Sequence, residues 1–171
     1  MKGKTVVATG ATSGIGEAAV LELAGLGARI VIVARDEARA QATMRKLGVK
    51  APGLDHRMHL ADLSSTAETR KVGAAIAASE PRIDVLINNA GALFSERRVT
   101  PEGLELTFAL NHMAYFVLTD ALRDKLVASA PARIVSTSSN AHEGASLDFA
   151  DLQSAKTYGG LKVYGLSLIH I

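Results

Sequence analysis

Short apolar runs rich in β-branched residues recur along the chain at residues 5–9 (TVVAT), 29–34 (RIVIVA), 83–88 (IDVLIN) and 133–137 (RIVST). Runs of this length without polar alternation suit strands buried on both faces, as in a parallel sheet. A weaker fifth candidate covers residues 57–61, just ahead of Asp62 and Leu63. Between the runs lie segments with helical spacing. Ile15, Ala19, Leu23 and Leu26 fall three and four positions apart, and residues 37–47 are charged and surface-like. Ser64 and Ser65 open a helix that reaches about Ser79, with Glu68 placed for a capping box. Pro101-Glu102 suits a further helix start, because proline tolerates the first turn. Helical pattern then continues, with a break, through residues 111–127, and Pro131 ends it. Residues 140–157 have no clear period, and loops of such length are often functional.

Strands thus alternate with helices. Parallel neighbours need crossover connections, which are right-handed almost without exception. The predicted fold is an α/β doubly wound parallel sheet. A length of 171 residues suits one domain, and 48% hydrophobic content supplies a core. The absence of cysteine removes disulfide frameworks, cysteine-ligated zinc and thiol nucleophiles, and no metal site is expected. Nineteen basic against 17 acidic residues leave a net charge of +2, and the basic residues are scattered. With no tryptophan and 4% aromatic residues, a nucleic-acid platform is not expected. No apolar run approaches a membrane span, and the N-terminus lacks a signal-peptide pattern. A soluble, cytoplasmic protein is expected.

Thr9-Gly10-Ala11-Thr12-Ser13-Gly14-Ile15-Gly16 follows the first predicted strand and opens the first helix. Gly10 permits the turn, Gly14 admits phosphates close to the backbone, and Gly16 permits tight helix–strand packing. The free N–H groups and dipole of the helix start attract a pyrophosphate. The spacing is G-x-x-x-G-x-G. It resembles the T-G-x-x-x-G-x-G turn of the short-chain dehydrogenase/reductase family. Asn88-Asn89-Ala90-Gly91 matches that family's N-N-A-G, and Asp62-Leu63 matches its adenine-side acidic position. The resemblance covers about residues 4–165 and implies a Rossmann-type fold, incomplete at the C-terminus. It also implies cofactor contacts from Gly10, Ser13, Gly14, Ile15, Gly16, Asp62, Leu63, Asn89, Ala90 and Gly91. Members that prefer NAD usually carry an acid where this chain has Ala34. Arg35 instead offers a planar, permanently charged fork to a 2′-phosphate, so NADP(H) is expected over NAD(H). Asp36 is the competing acid, two positions later and able to pair with Arg39.

The run Arg133-Ile134-Val135-Ser136-Thr137-Ser138-Ser139-Asn140-Ala141-His142 resembles the R-I-V-x-x-S-S-x-A-H segment of retinol-dehydrogenase-like members. That resemblance implies Ser139 as the serine that orients the substrate oxygen. It implies Asn111 as the helix asparagine that holds a water in the proton relay. His112 and His142 are expected to be structural or loop residues. Two tyrosines compete. Tyr158-Gly159-Gly160-Leu161-Lys162 fits Y-x-x-x-K literally. The subgroup, however, places D-L-Q-S and a nonessential tyrosine ahead of the catalytic one in Y-x-x-S-K. Asp151-Leu152-Gln153-Ser154 and Tyr158 match the former, and Tyr164-Gly165-Leu166-Ser167 match the latter. Tyr164 is therefore the expected acid/base, and Leu168 stands at the position of the lysine. A free tyrosine has a pKa of about 10, and an adjacent ammonium favours the phenolate; leucine supplies no such charge.

Leu166-Ser167-Leu168-Ile169-His170-Ile171 resembles the in-frame translation of a transposase-type sequencing adaptor. Residues 1–165 are thus expected to be the NADP(H)-binding portion and 166–171 a non-native tail. The expected function is hydride transfer between NADP(H) and a small hydrophobic alcohol or carbonyl, with this chain inactive for lack of the lysine. The alternative is a non-catalytic dinucleotide-binding or redox-sensing module. The resemblance implies a homo-oligomer for a complete member.

Overall fold

The computed structural model describes residues 1–169. Five strands form one sheet: β1 (Thr5–Thr9), β2 (Arg29–Ala34), β3 (Arg57–Leu60), β4 (Val85–Asn88) and β5 (Arg133–Ser136). Their order is β3-β2-β1-β4-β5, and every pair is parallel. The most apolar runs take the middle, where Val7 lies opposite both Val31 and Leu86. Side chains alternate across the sheet with the period of two that a strand imposes. Val6, Ala8, Ile30 and Ile32 meet Val20, Ala24 and Leu47 of α1 (Gly14–Gly25) and α2 (Glu37–Lys50). Val7, Val31, Val33 and Leu86 meet Val72, Ile76, Leu118 and Leu122 of α3 (Thr66–Ser79) and α5 (Ala114–Ala128). Each such aliphatic side chain contributes about 1.5–3 kcal/mol when fully buried. The doubly wound α/β architecture is as the alternation predicts.

Burial on both faces holds for β1 and, beyond Arg29, for β2, but not throughout. All four residues of β5 are exposed, as are Arg57 and Leu60 of β3. These two strands are the sheet edges among the described residues. Strand β4 starts at Val85, two residues later than predicted. Asp84 N–H still donates to the Thr5 carbonyl, and the Asp84 carboxylate receives the Thr5 N–H.

The Pro101-Glu102 expectation is overturned. Residues 100–103 close a turn, with Gly103 N–H donating to the Thr100 carbonyl and Gly103 at φ +84°. Proline suits the second position of a turn as well as a helix start, so the dipeptide does not separate the two. Glu102 then reaches across to α3, where its carboxylate accepts from the N–H groups of Thr66 and Ala67 at 2.8 and 3.1 Å. The Thr66 hydroxyl and backbone bonds, with those from Ala67 and Ser65, hold its pKa down to about 2. The predicted capping of α3 is half as drawn. Ser65 accepts from Glu68 N–H at 3.2 Å, but the Glu68 carboxylate receives the Asp62 N–H at 2.7 Å.

The next helix starts only at α4 (Leu106–Phe108), capped by Glu105. The predicted break is a π-helical turn, Ala109–Met113, that runs directly into α5. A short 3₁₀ turn (Asn140–His142) follows β5, and the described chain closes with α6 (Gly160–Leu168). The tail expectation falls partly on His170 and Ile171, outside the described residues. Ser167 and Leu168 continue α6 and are buried. Among the described residues, no helix is long and apolar enough to cross a membrane.

Candidate active site

The turn between β1 and α1 is built by its glycines. Gly10 and Gly14 stand at φ +64° and +52°, where a side chain is strained. A Cβ on Gly16 would sit 2.2 Å from the Gly10 carbonyl oxygen and 2.5 Å from Asn89 Nδ2. Gly16 is therefore the close-packing position. A Cβ on Gly14 would meet no atom within 4 Å. That open space lies where the α1 helix begins: its first bond is Glu17 N–H to the Ser13 carbonyl. The N–H groups of Gly14, Ile15 and Gly16 precede the ladder and are free for an anion. Ser13 caps with no side-chain bond. The residues present thus fit a dinucleotide pyrophosphate.

Asn89 locks the turn to β4. Its Nδ2 donates to the Gly10 carbonyl at 3.2 Å, and its Oδ1 accepts from the Thr137 hydroxyl at 3.1 Å. The buried Thr9 hydroxyl oxygen accepts from both Asn89 N–H and Ala90 N–H, at 2.9 and 3.0 Å. The first, fourth and fifth strands therefore end in one bonded cluster, at the switch point where open α/β sheets bind ligands. A groove of about 450 Å³ opens there. Gly10, Ser13, Gly14, Ile15, Gly16, Arg35, Asp62, Leu63, Asn89, Ala90 and Gly91 all line it.

Among the further groove residues, not expected as cofactor contacts, are Thr12, Asp36, Arg39 and Phe94. Arg39 donates to the Thr12 carbonyl at 3.3 Å, so its guanidinium bridges the β2–α2 and β1–α1 loops. Asp36 does pair with Arg39, but through the backbone: its carboxylate caps α2 by accepting Arg39 N–H at 2.9 Å. The signal available was the four-residue step from Arg35 to Arg39 across a helix N-cap. Asp62 holds the β3–α3 turn by accepting from the Ser64 N–H and hydroxyl at 2.9 and 2.8 Å.

Asn111 lies buried in the π-helical turn. Its Oδ1 accepts from Ala92 N–H at 2.9 Å, and its Nδ2 donates to the Ala92 carbonyl and the Ser167 hydroxyl, both at 3.0 Å. Both carboxamide hydrogens are thus taken up by protein acceptors. Ser139 caps the 3₁₀ turn, its hydroxyl oxygen accepting Ala141 N–H at 3.2 Å. Helix α6 packs onto that turn so closely that a Cβ on Gly165 would lie 2.3 Å from the Ala141 carbonyl oxygen. Tyr164 precedes Gly165 on α6, and it raises the pKa of Tyr115, which burial has already pushed above the usual phenol value.

Leu168 follows Tyr164 by one helical turn and is buried. The Lys162 side chain belongs to a different cavity, of about 220 Å³, with Phe108, His112 and Asp148. Tyr158 precedes α6, and its hydroxyl donates to the Phe94 carbonyl at 3.0 Å. His112 stacks on Phe108 with ring centroids 5.1 Å apart, and His142 Nδ1 contacts the Ser139 carbonyl. Among the described residues, no group of three or more His, Cys, Asp or Glu could hold a metal.

A parallel sheet with a glycine turn and a groove at its switch point defines a Rossmann-type fold. A family model for short chain dehydrogenase matches residues 4–157. The chain belongs to that family, in its retinol-dehydrogenase-like branch. It is 42% identical over 153 residues to retinol dehydrogenase 13 of Homo sapiens, covering 88% of this chain and 45% of that protein. The chain spans about half the length of the curated relatives it matches. A short-chain dehydrogenase from Sphingobium yanoikuyae in complex with NADPH is 30% identical, with a TM-score of 0.76, covering 96% of this chain and 60% of that one. An NADH-dependent reductase, A1-R′, complexed with NAD, is also 30% identical with a TM-score of 0.76, covering 98% and 68%.

Proposed function

We propose that the protein is an NADP(H)-dependent oxidoreductase acting on a hydrophobic alcohol or carbonyl, and that the chain as given lacks one element of its catalytic set. One observation carries the reading: the glycine turn, Arg35, Asp62 and Asn89 share a groove flanked by Asn111, whose bond to Ser167 anchors the helix of Tyr164. The N–H groups of residues 14–16 hold the pyrophosphate. Asp62 and Leu63 bound the adenine end. Arg35 and Arg39 bind a 2′-phosphate, beside Asp36, which lines the same groove and caps its own helix. A bound nicotinamide supplies or accepts the hydride at C4. Ser139 hydrogen-bonds the substrate oxygen, Tyr164 gives or takes its proton, and Asn111 supports the relay. A relative named retinol dehydrogenase supports a hydrophobic substrate.

Leu168 favours a second reading. One turn after Tyr164 it places an apolar, buried side chain where a cation would favour the phenolate. The chain then acts as a dinucleotide-binding module without turnover. Titration of this chain with NADPH and NADH, followed by carbonyl-reduction assays of this chain and of its Leu168→Lys variant, separates the two. NADPH binding followed by turnover that Tyr164→Phe abolishes supports the enzyme. Binding without turnover in either chain supports the module. No saturable binding refutes both.

A further inference from the structure

Residues 153–160 have no place in the chemistry above, yet they are stitched to the segment that follows β4. The Tyr158 hydroxyl donates to the Phe94 carbonyl at 3.0 Å and also lies 3.4 Å from Glu105 Oε1 and from the Thr107 hydroxyl. Gln153 receives Glu105 N–H on its side-chain oxygen at 2.6 Å and Arg97 Nε on its carbonyl at 3.1 Å. Gly160, the first residue of α6, sits so near this segment that a Cβ would lie 2.5 Å from the Phe94 carbonyl oxygen.

Each stitched point leads into the candidate site. Phe94 lines the groove. Glu105, fully buried, caps α4 by accepting Thr107 N–H and Phe108 N–H at 2.9 and 2.8 Å. Three residues beyond Phe108 is Asn111, which bonds Ala92 in the same loop as Phe94. At the other end, α6 carries Tyr164. One phenol hydroxyl therefore sits where the groove wall, the cap of the Asn111 helix and the approach to the Tyr164 helix meet. A hydrogen bond of this kind, partly buried, acts mainly through the cost of leaving its acceptors unpaired.

We propose that Tyr158 is a positioning residue. Through Phe94 and Glu105 it sets the groove wall and the Asn111 turn relative to α6, and it takes no part in proton transfer. The proposal rests on the functional reading for its consequence in catalysis, but its structural content is testable without it. Tyr158→Phe removes only the hydroxyl. In the unliganded chain, amide hydrogen exchange is expected to quicken about tenfold at Ala92, Thr107 and Phe108, the size of one lost bond, with the amides of β1 and β2 unchanged. Where turnover is measured, the same variant is expected to raise both KM for the carbonyl and the NADPH Kd several-fold, because Phe94 lines the groove, and to leave the pH profile unchanged.

Unchanged exchange at those three amides overturns the proposal. So does uniform acceleration across the sheet, which marks a general loss of stability, or a shifted pH profile, which marks a proton-transfer role. If Tyr158→Phe fails to fold, Gln153→Ala removes the neighbouring stitch and must quicken the same amides. A wild-type chain that binds no dinucleotide refutes the functional reading alone, and the exchange result still decides the role of Tyr158.

Discussion

Asn111 Nδ2 donates to the Ser167 hydroxyl at 3.0 Å, across 56 positions of sequence. Ser167 in turn donates to the Tyr164 carbonyl at 2.7 Å, so one buried carboxamide ties the π-helical turn to the helix of the candidate acid/base. A π-helical turn often marks a functional position within a helix, and here it seats Asn111 against the Ala92 backbone.

Gly16→Ala is expected to be more damaging than its volume suggests. The added carbon meets the Gly10 carbonyl oxygen at 2.2 Å, and that oxygen is backbone in a constrained turn. Overpacking of this kind costs about 1–3 kcal/mol, and each kcal/mol lowers the melting temperature by roughly 2–4 °C at this size. Thermal unfolding measures it. A melting temperature equal to wild type contradicts the packing.

Thr9→Val removes the acceptor shared by Asn89 N–H and Ala90 N–H while keeping the side-chain shape. Each buried donor left unpaired costs about 1–3 kcal/mol. Denaturant unfolding is expected to show a midpoint shift of at least that size with the slope preserved. NADPH affinity should fall as well, because Asn89 and Ala90 line the groove.

Arg39→Ala is expected to weaken NADPH far more than NADH. A charge-assisted hydrogen bond contributes about 1.5–3 kcal/mol, roughly 10- to 100-fold in affinity. Binding titrations of both dinucleotides with the Arg35→Ala, Arg39→Ala and double variants check it. Equal losses for the two dinucleotides would place the arginines away from the 2′-phosphate.

Acid is expected to loosen the β3 edge. His56 Nδ1 accepts Ile30 N–H at 3.0 Å, which requires the neutral ring. Burial holds the His56 and His59 pKa values below the ordinary one, near 6.5 for a free histidine. The unfolded chain therefore takes up protons first as pH falls. Stability drops from about pH 6.5 downward and levels off below the folded-state values. Urea midpoints between pH 8 and 5 should fall less in His56→Gln, which keeps an acceptor. Identical slopes would show that His56 does not contribute.

The parts of this protein that are local were legible in sequence. The apolar runs at residues 5–9 and 29–34 become inner strands, where neighbouring strands and helices on both faces exclude water, whereas the similar run at 133–136 ends up at an exposed edge. The glycine turn is legible because its spacing is dictated by backbone sterics within eight residues, and six of those eight line the groove. Strand Thr5–Thr9 and strand Arg29–Ala34 fall where the pattern puts them. Pro101-Glu102 failed because proline fits two local geometries equally well, and the choice was made by α3, whose open N-terminus draws the Glu102 carboxylate.

Tertiary structure alone decided the rest. Arg39 enters the groove only because two βα loops meet there. Tyr158 matches a catalytic spacing by letter, yet the fold spends its hydroxyl on Phe94, 64 positions away. Asn111 and Ser167 find each other across two helices. Sequence determines which backbone shapes are affordable over a few residues, through sterics and burial. Which distant donor meets which acceptor depends on how the packed layers come together, and no local pattern carries that information.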